Sequence, residues 1–217
     1  MSLDNLKIAA YLAVALLPAL VLHEYAHAFA ADRLGDPSPR RWGRLTFNPR
    51  ALVDPFGTLI LPALALILVA GRGGSVVPLF AYAKPMPRDD SALRNPPRDS
   101  LIVTLAGLGA NVALVFLGGM VVRLGATGEV EVFAQAWMIV NALMFAIQLM
   151  PIPGLDGSRL LARVLPPRAR EVYVNLSQYL VLFILVAFFL LSGPLIAIVD
   201  GFAQIVCNAA SGADCLL

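Results

Sequence analysis

Long apolar stretches alternate with short polar ones along most of the chain. A helix that crosses a bilayer needs about 20 apolar residues with few charges among them. Ile8 to Ala31 meets that requirement except for His23, Glu24 and His27 in its last third. Leu101 to Val122 predicts a second span, and Val132 to Met150 a third that carries Asn141 and Gln148. Val172 to Leu191 predicts a fourth, closed by Ser192-Gly193-Pro194. Two weaker segments remain: Pro55 to Ala70 is short and holds Pro62, and Leu195 to Val206 is interrupted by Asp200. The polar stretches Asp32 to Asp54, Gly71 to Ser100 and Gly154 to Arg170 are rich in Pro, Gly and Arg and read as loops. Within them, Trp42 to Phe47 and Leu79 to Lys84 carry aromatics and aliphatics without helical period, which predicts short strands.

Composition removes the soluble alternative. A length of 217 residues would suit one or two soluble domains. Apolar residues nevertheless make up 59% and charged ones 14%, with a mean hydropathy of +0.79. Soluble domains run at about 45–50% and about 25%, and a small fold cannot cover its wet surface with so few charges. The expectation is an all-α polytopic membrane protein with about four full transmembrane helices, a re-entrant hydrophobic segment and short β-strands on the cytoplasmic side. The first span is not read as a cleavable leader, because charged residues stand where a cleavage site would be. A net charge of +2 with no aromatic-interleaved basic run gives no sign of a nucleic-acid partner. Two cysteines, Cys207 and Cys215, are too few for a disulfide scaffold or a cysteine-rich zinc domain.

Residues 23–27 read His-Glu-Tyr-Ala-His. On a helix, positions i and i+4 share a face, so His23 and His27 can offer imidazoles to one metal ion, with Glu24 beside it to take a proton from water. Both histidines of the chain fall in this pattern, inside a segment where ionisable groups are costly without a function. Zinc in catalytic sites takes three protein ligands and leaves a position open. Carboxylates able to supply the third are Asp54, Asp156 and Glu171. The physics of the sequence leaves Asp156 and Asp54 level, although Asp156 has a helix-ending turn around it in Pro151 to Gly157.

These motifs resemble the site-2 proteases, intramembrane zinc metalloproteases, in the short form without a PDZ or CBS domain. The matching residues include His23 to His27, Gly43 to Pro49, Asp54 to Thr58, Ala83 to Pro87, Leu93 to Pro96, Ala106 to Asn111 and Pro151 to Gly157. The resemblance implies that His23, His27 and Asp156 hold one Zn2+ and that Glu24 is the general base. It implies a single membrane protease domain over 1–217, with a catalytic core over about 8–165 and a C-terminal helix and tail over 172–217. Three positions depart from the family pattern: Gln148 where Asn is usual, and Gly154 and Leu108 where Pro is common. Gln148 keeps an amide donor on a longer side chain and is the candidate for steadying the substrate or oxyanion, with Asn111 as a second, more structural, candidate. Leu45 and Tyr82 are candidate edges for an unwound substrate segment, held by β-augmentation.

His23 and Asp156 can share a metal only if the chain crosses the membrane an even number of times between them. Leu101 to Val122 and Val132 to Met150 supply two crossings, so Pro55 to Ala70 must be re-entrant or paired with a return through Ser75 to Tyr82. Fourteen of the sixteen Lys and Arg residues then fall on the ligand side, leaving Lys7 and Arg123 opposite. The positive-inside rule places the active site toward the cytoplasm of a bacterial or archaeal cell membrane. Cys207 and Cys215 then lie outside, where a disulfide can persist. The function expected is endopeptidase cleavage of membrane-protein substrates within or near a transmembrane segment. The alternative, raised by Gln148, is a weak or inactive metal-binding protein that binds transmembrane partners. A metal-gated transporter is disfavoured, because no further intramembrane carboxylates or histidines line a route.

Overall fold

The computed structural model describes residues 3–63, 81–84, 86–180, 182–183, 186 and 192–212. Helices α1 (Leu3–Leu34), α2 (Ser38–Arg41) and α3 (Pro49–Leu52) are followed by a π-helical turn, Pro55–Ile60. Then come α4 (Pro96–Arg123), α5 (Glu129–Leu149), α6 (Asp156–Ala162), α7 (Pro167–Asn175) and α8 (Ser192–Ser211). Among the described residues, three helices are long and apolar enough to cross a membrane: Lys7–Leu34, Pro96–Arg123 and Glu129–Leu149. They pack on one another, and α8 packs on α4 and α5.

The local reasons for these helices are legible. Two prolines, free to occupy a first turn because it lacks N–H partners, open α4. The Asp99 carboxylate reaches back to the Asn95 N–H at 2.8 Å. Glu129 and Glu131 sit at the positive end of α5, which stops before Pro151. Small residues on α1, Ala15 and Ala19, are fully buried and let α1 approach Val140 and Met144 of α5. A second cluster joins Val115 of α4, Met138 to Ile147 of α5, and Ala203, Cys207 and Ala210 of α8.

The two ends of the bundle differ in chemistry. At one end, buried Asp36 accepts the N–H groups of Ser38 (2.8 Å) and Asp89 (2.9 Å), tying two Arg-bearing loops together. The Arg94 N–H donates to the Leu34 carbonyl at 3.0 Å at that end. At the other, Lys7 and Tyr11 of α1 bond to Glu129 of α5, and Arg123 donates to the Ala209 carbonyl at 3.3 Å. Cys207 is disulfide-bonded, while Cys215 lies outside the described residues.

Two expectations are corrected. No strand forms among the described residues. Trp42 to Phe47 is a turn and bend, because the Gly43 and Arg44 N–H groups bond back to the Arg40 and Pro39 carbonyls at 3.1 and 2.7 Å around Gly43 at φ +64°. Leu45 therefore sits in a bend and offers no strand edge. Phe47 instead stacks on Tyr25, centroids 4.0 Å apart. Of Leu79 to Lys84, residues 79 and 80 lie outside the described set, and the rest makes a single antiparallel bridge, Val53 to Ala83. The expected fourth span, Val172 to Leu191, opens as α7 and a 3-10 turn, Leu176–Tyr179, and much of its remainder lies outside the described residues. So does most of the expected re-entrant path, 64–80.

Candidate metal centre

His23 and His27 lie one turn apart on α1, 1% and 5% exposed. With 1.5 Å of rise per residue, His27 is about 10 Å along the helix from its end at Leu34. Asp156 opens α6, just beyond the turn that ends α5. Its Oδ2 is 2.9 Å from His27 Nε2 and 3.3 Å from His23 Nε2, and the two Nε2 atoms are 3.1 Å apart. These three are the residues among those described whose ligand atoms converge closely enough to hold a metal ion.

The turn that delivers Asp156 explains one family departure. Gly154 has φ +100°, a backbone conformation closed to proline, whose ring holds φ near −65°. Gly157 lies so close to α5 that an added Cβ would be 2.0 Å from the Leu149 carbonyl oxygen. A third glycine makes room for the ligand itself: a Cβ on Gly107 of α4 would fall 2.1 Å from His27 Nε2.

The donor set fits a cation. His27 Nδ1 lies 2.7 Å from the Val103 carbonyl oxygen, which can only accept, so Nδ1 carries a hydrogen and the neutral ring has its lone pair on Nε2. His23 Nδ1 is 2.6 Å from Asn111 Oδ1. Each imidazole thus has a partner behind it and its Nε2 toward a carboxylate, the arrangement that holds metal-binding histidines in orientation. Two imidazole nitrogens and a carboxylate suit zinc.

The alternatives are engaged elsewhere. The Asp54 carboxylate caps the π-helical turn, accepting the Phe56 and Gly57 N–H groups at 3.0 and 2.7 Å. Glu171 is exposed on α7. Asn111 has its oxygen on His23 and its nitrogen 3.1 Å from Asn141 Oδ1, which commits the amide to these two partners.

Beside the ligands is a cavity of about 80 Å³, room for a few waters. Glu24, Gln148, Tyr82, Ala83, Arg88 and Arg159 are among its lining residues. Gln148 Oε1 faces the Asp156 N–H at 3.5 Å, leaving the amide nitrogen as a donor. The Tyr82 N–H donates to the Gly57 carbonyl (3.2 Å) and its carbonyl accepts from Thr58 Oγ1 (2.9 Å), so the outward backbone edge belongs to Ala83. Arg88 is pinned by Asp90, Ser100 and Thr104. Burial works against charge on Asp90, but the Arg88 guanidinium still holds its carboxyl below the usual range.

Sequence reasoning counted Arg88 and Arg159 only as loop charges and missed their place in the cavity. For Arg159 a signal existed, since it follows Asp156 by one helical turn on the same face. For Arg88 and the Val103 carbonyl there was none, because a loop fold and a backbone atom bring them there.

Comparison with known proteins adds an independent line. The chain is 32% identical to "Putative zinc metalloprotease YwhC" of Bacillus subtilis over 193 residues, 84% of this chain and 82% of the relative. It is 33% identical to "Putative zinc metalloprotease Rip2" of Mycobacterium tuberculosis over 79% of this chain and 64% of the relative. The Rip2 of Mycolicibacterium smegmatis is 34% identical over 75% of this chain and 60% of the relative. No family model matches the chain, and no solved structure matches it significantly. With a buried two-histidine, one-aspartate cluster on apolar helices and a relative matched over most of both lengths, the chain belongs to the same family of zinc metalloproteases as YwhC and Rip2, the site-2 protease family that its motifs resemble.

Proposed function

We propose that the chain is a zinc-dependent intramembrane endopeptidase that hydrolyses peptide bonds within or next to transmembrane segments of other membrane proteins. The observation that carries this reading is that Glu24 opens onto the same cavity as His27 and Asp156, within an apolar helix long enough to span a membrane. A protease acting on soluble chains has no need to place its chemistry there.

His23, His27 and Asp156 would hold the ion. When bound, zinc polarises the scissile carbonyl and acidifies the attacking water. Glu24, a general base not needed as a ligand, accepts the proton from that water on its carboxylate and returns it to the leaving amide nitrogen. The Gln148 nitrogen donates to the oxygen on which negative charge grows. The cavity admits the water that hydrolysis consumes. A substrate helix hides its amides in its own hydrogen bonds and must unwind first. The N–H and C=O of Ala83, turned away from the bridge to Val53, offer such a segment main-chain partners beside the ligands.

The active site faces the cytoplasm in this reading. Support comes from the Arg-rich loops joined at the ligand end and from the disulfide at Cys207, on α8 near the opposite end, since disulfides persist in oxidising compartments.

A reporter carrying a transmembrane segment, reconstituted with purified enzyme, tests the proposal. Wild type cleaves it and stops when zinc is chelated; Glu24→Gln keeps its zinc and does not cleave. A wild-type protein that holds zinc yet leaves a panel of such reporters intact would instead support a binding protein without turnover.

A further inference from the structure

His27 is oriented by a backbone carbonyl one bond away, whereas His23 is backed by a side-chain amide that could in principle turn either way. The direction of that amide is decided two residues further on. Asn141 Nδ2 is 2.8 Å from the Trp137 carbonyl oxygen, an atom that can only accept, so Asn141 places its nitrogen there and its oxygen outward. That oxygen lies 3.1 Å from Asn111 Nδ2, so Asn111 is turned with its nitrogen to Asn141 and its oxygen to His23. The oxygen, 2.6 Å from His23 Nδ1, in turn requires a hydrogen on Nδ1, so the neutral ring keeps its lone pair on Nε2. Both asparagines are fully buried, so a reversed amide would set like groups face to face with no water to relieve them. The alternative partner near Asn111, Met144 Sδ at 3.8 Å, is only a weak acceptor.

We infer that Asn141 is a positioning residue for a metal ligand it does not touch: through Asn111, it fixes His23 in the tautomer whose Nε2 is open to the metal. The relay runs from α5 through α4 to α1 and so makes ligand orientation depend on how the three spans pack. It rests on the reading of the site as a metal centre, and the experiment separates the two.

The chain has two histidines, so selective 15N labelling of imidazole reads both tautomers in the full-length protein in detergent. Zinc affinity, measured by competition with a chromophoric chelator, is the second readout. In Asn141→Leu, Asn111 is free to turn. His23 is expected to lose its uniform Nδ1–H form while His27 keeps it, and zinc binding to weaken by roughly 10–100-fold. Asn111→Asp added to Asn141→Leu restores an obligate acceptor behind His23, and most of the lost affinity returns. A packing defect would not be repaired by adding a buried carboxylate. The inference is overturned if Asn141→Leu leaves the His23 tautomer and zinc affinity at wild-type values. It is also overturned if the double variant, with wild-type elution and melting, recovers no affinity. If His23→Ala binds zinc like wild type, the metal-centre reading itself fails, and the relay with it.

Discussion

At the scale of single residues, the centre depends on side chains being unable to do anything else. His27 faces an obligate acceptor, Asp156 lies within 3.3 Å of both imidazoles, and Glu24 is left toward the cavity. Gln148 is the residue whose role is least like a ligand's, since its oxygen faces the Asp156 N–H and its nitrogen is available. One positioned donor to a developing oxyanion is worth about 3 kcal/mol. Gln148→Ala should therefore lower turnover about a hundredfold with zinc content unchanged, whereas Gln148→Asn should keep it. Equal turnover of Gln148→Ala and wild type would reduce the amide to a packing element. The histidine pair and its glutamate were readable from spacing alone, because i, i+4 is a property of the helix itself. The choice between Asp54 and Asp156 was not, because it depends on which carboxylate the fold consumes as a cap, and Asp54 is the one consumed.

At the scale of elements, three of the four expected spans were legible because the bilayer fixes their length, and the strands were misread because aromatics in a loop have other uses. Phe47 stacks on Tyr25 and the Trp42 backbone bonds back into α2, so their side-chain pattern reports packing and not a pleat. The small residues on α4 differ in what they face. Gly107 is pressed against His27, whereas an added Cβ on Gly109 meets nothing within 4 Å. Gly107→Ala should push the imbedded imidazole aside and weaken zinc binding roughly tenfold or more. Gly109→Ala should bind zinc normally and melt no lower, since alanine favours helix over glycine. Chelator competition on the two purified variants checks both; equal zinc affinity would show that α4 yields to the added methyl.

At the scale of the whole molecule, the proposed orientation in the membrane is tested at the two ends of the bundle. Buried Asp36 binds two Arg-bearing loops to one another at the ligand end, and Lys7 and Arg123 sit at the far end. An impermeant thiol reagent on intact cells should label Thr127→Cys and spare Arg41→Cys, both exposed positions; the reverse pattern would turn the active site outward.

The assembly of one metal site from α1 and α6 is the claim on which all the rest depends, and zinc content per chain measures it. Wild type, Glu24→Gln and Asp54→Ala should each carry about one zinc, and His23→Ala, His27→Ala and Asp156→Ala should carry almost none. Full zinc in Asp156→Ala together with its loss in Asp54→Ala would contradict the account.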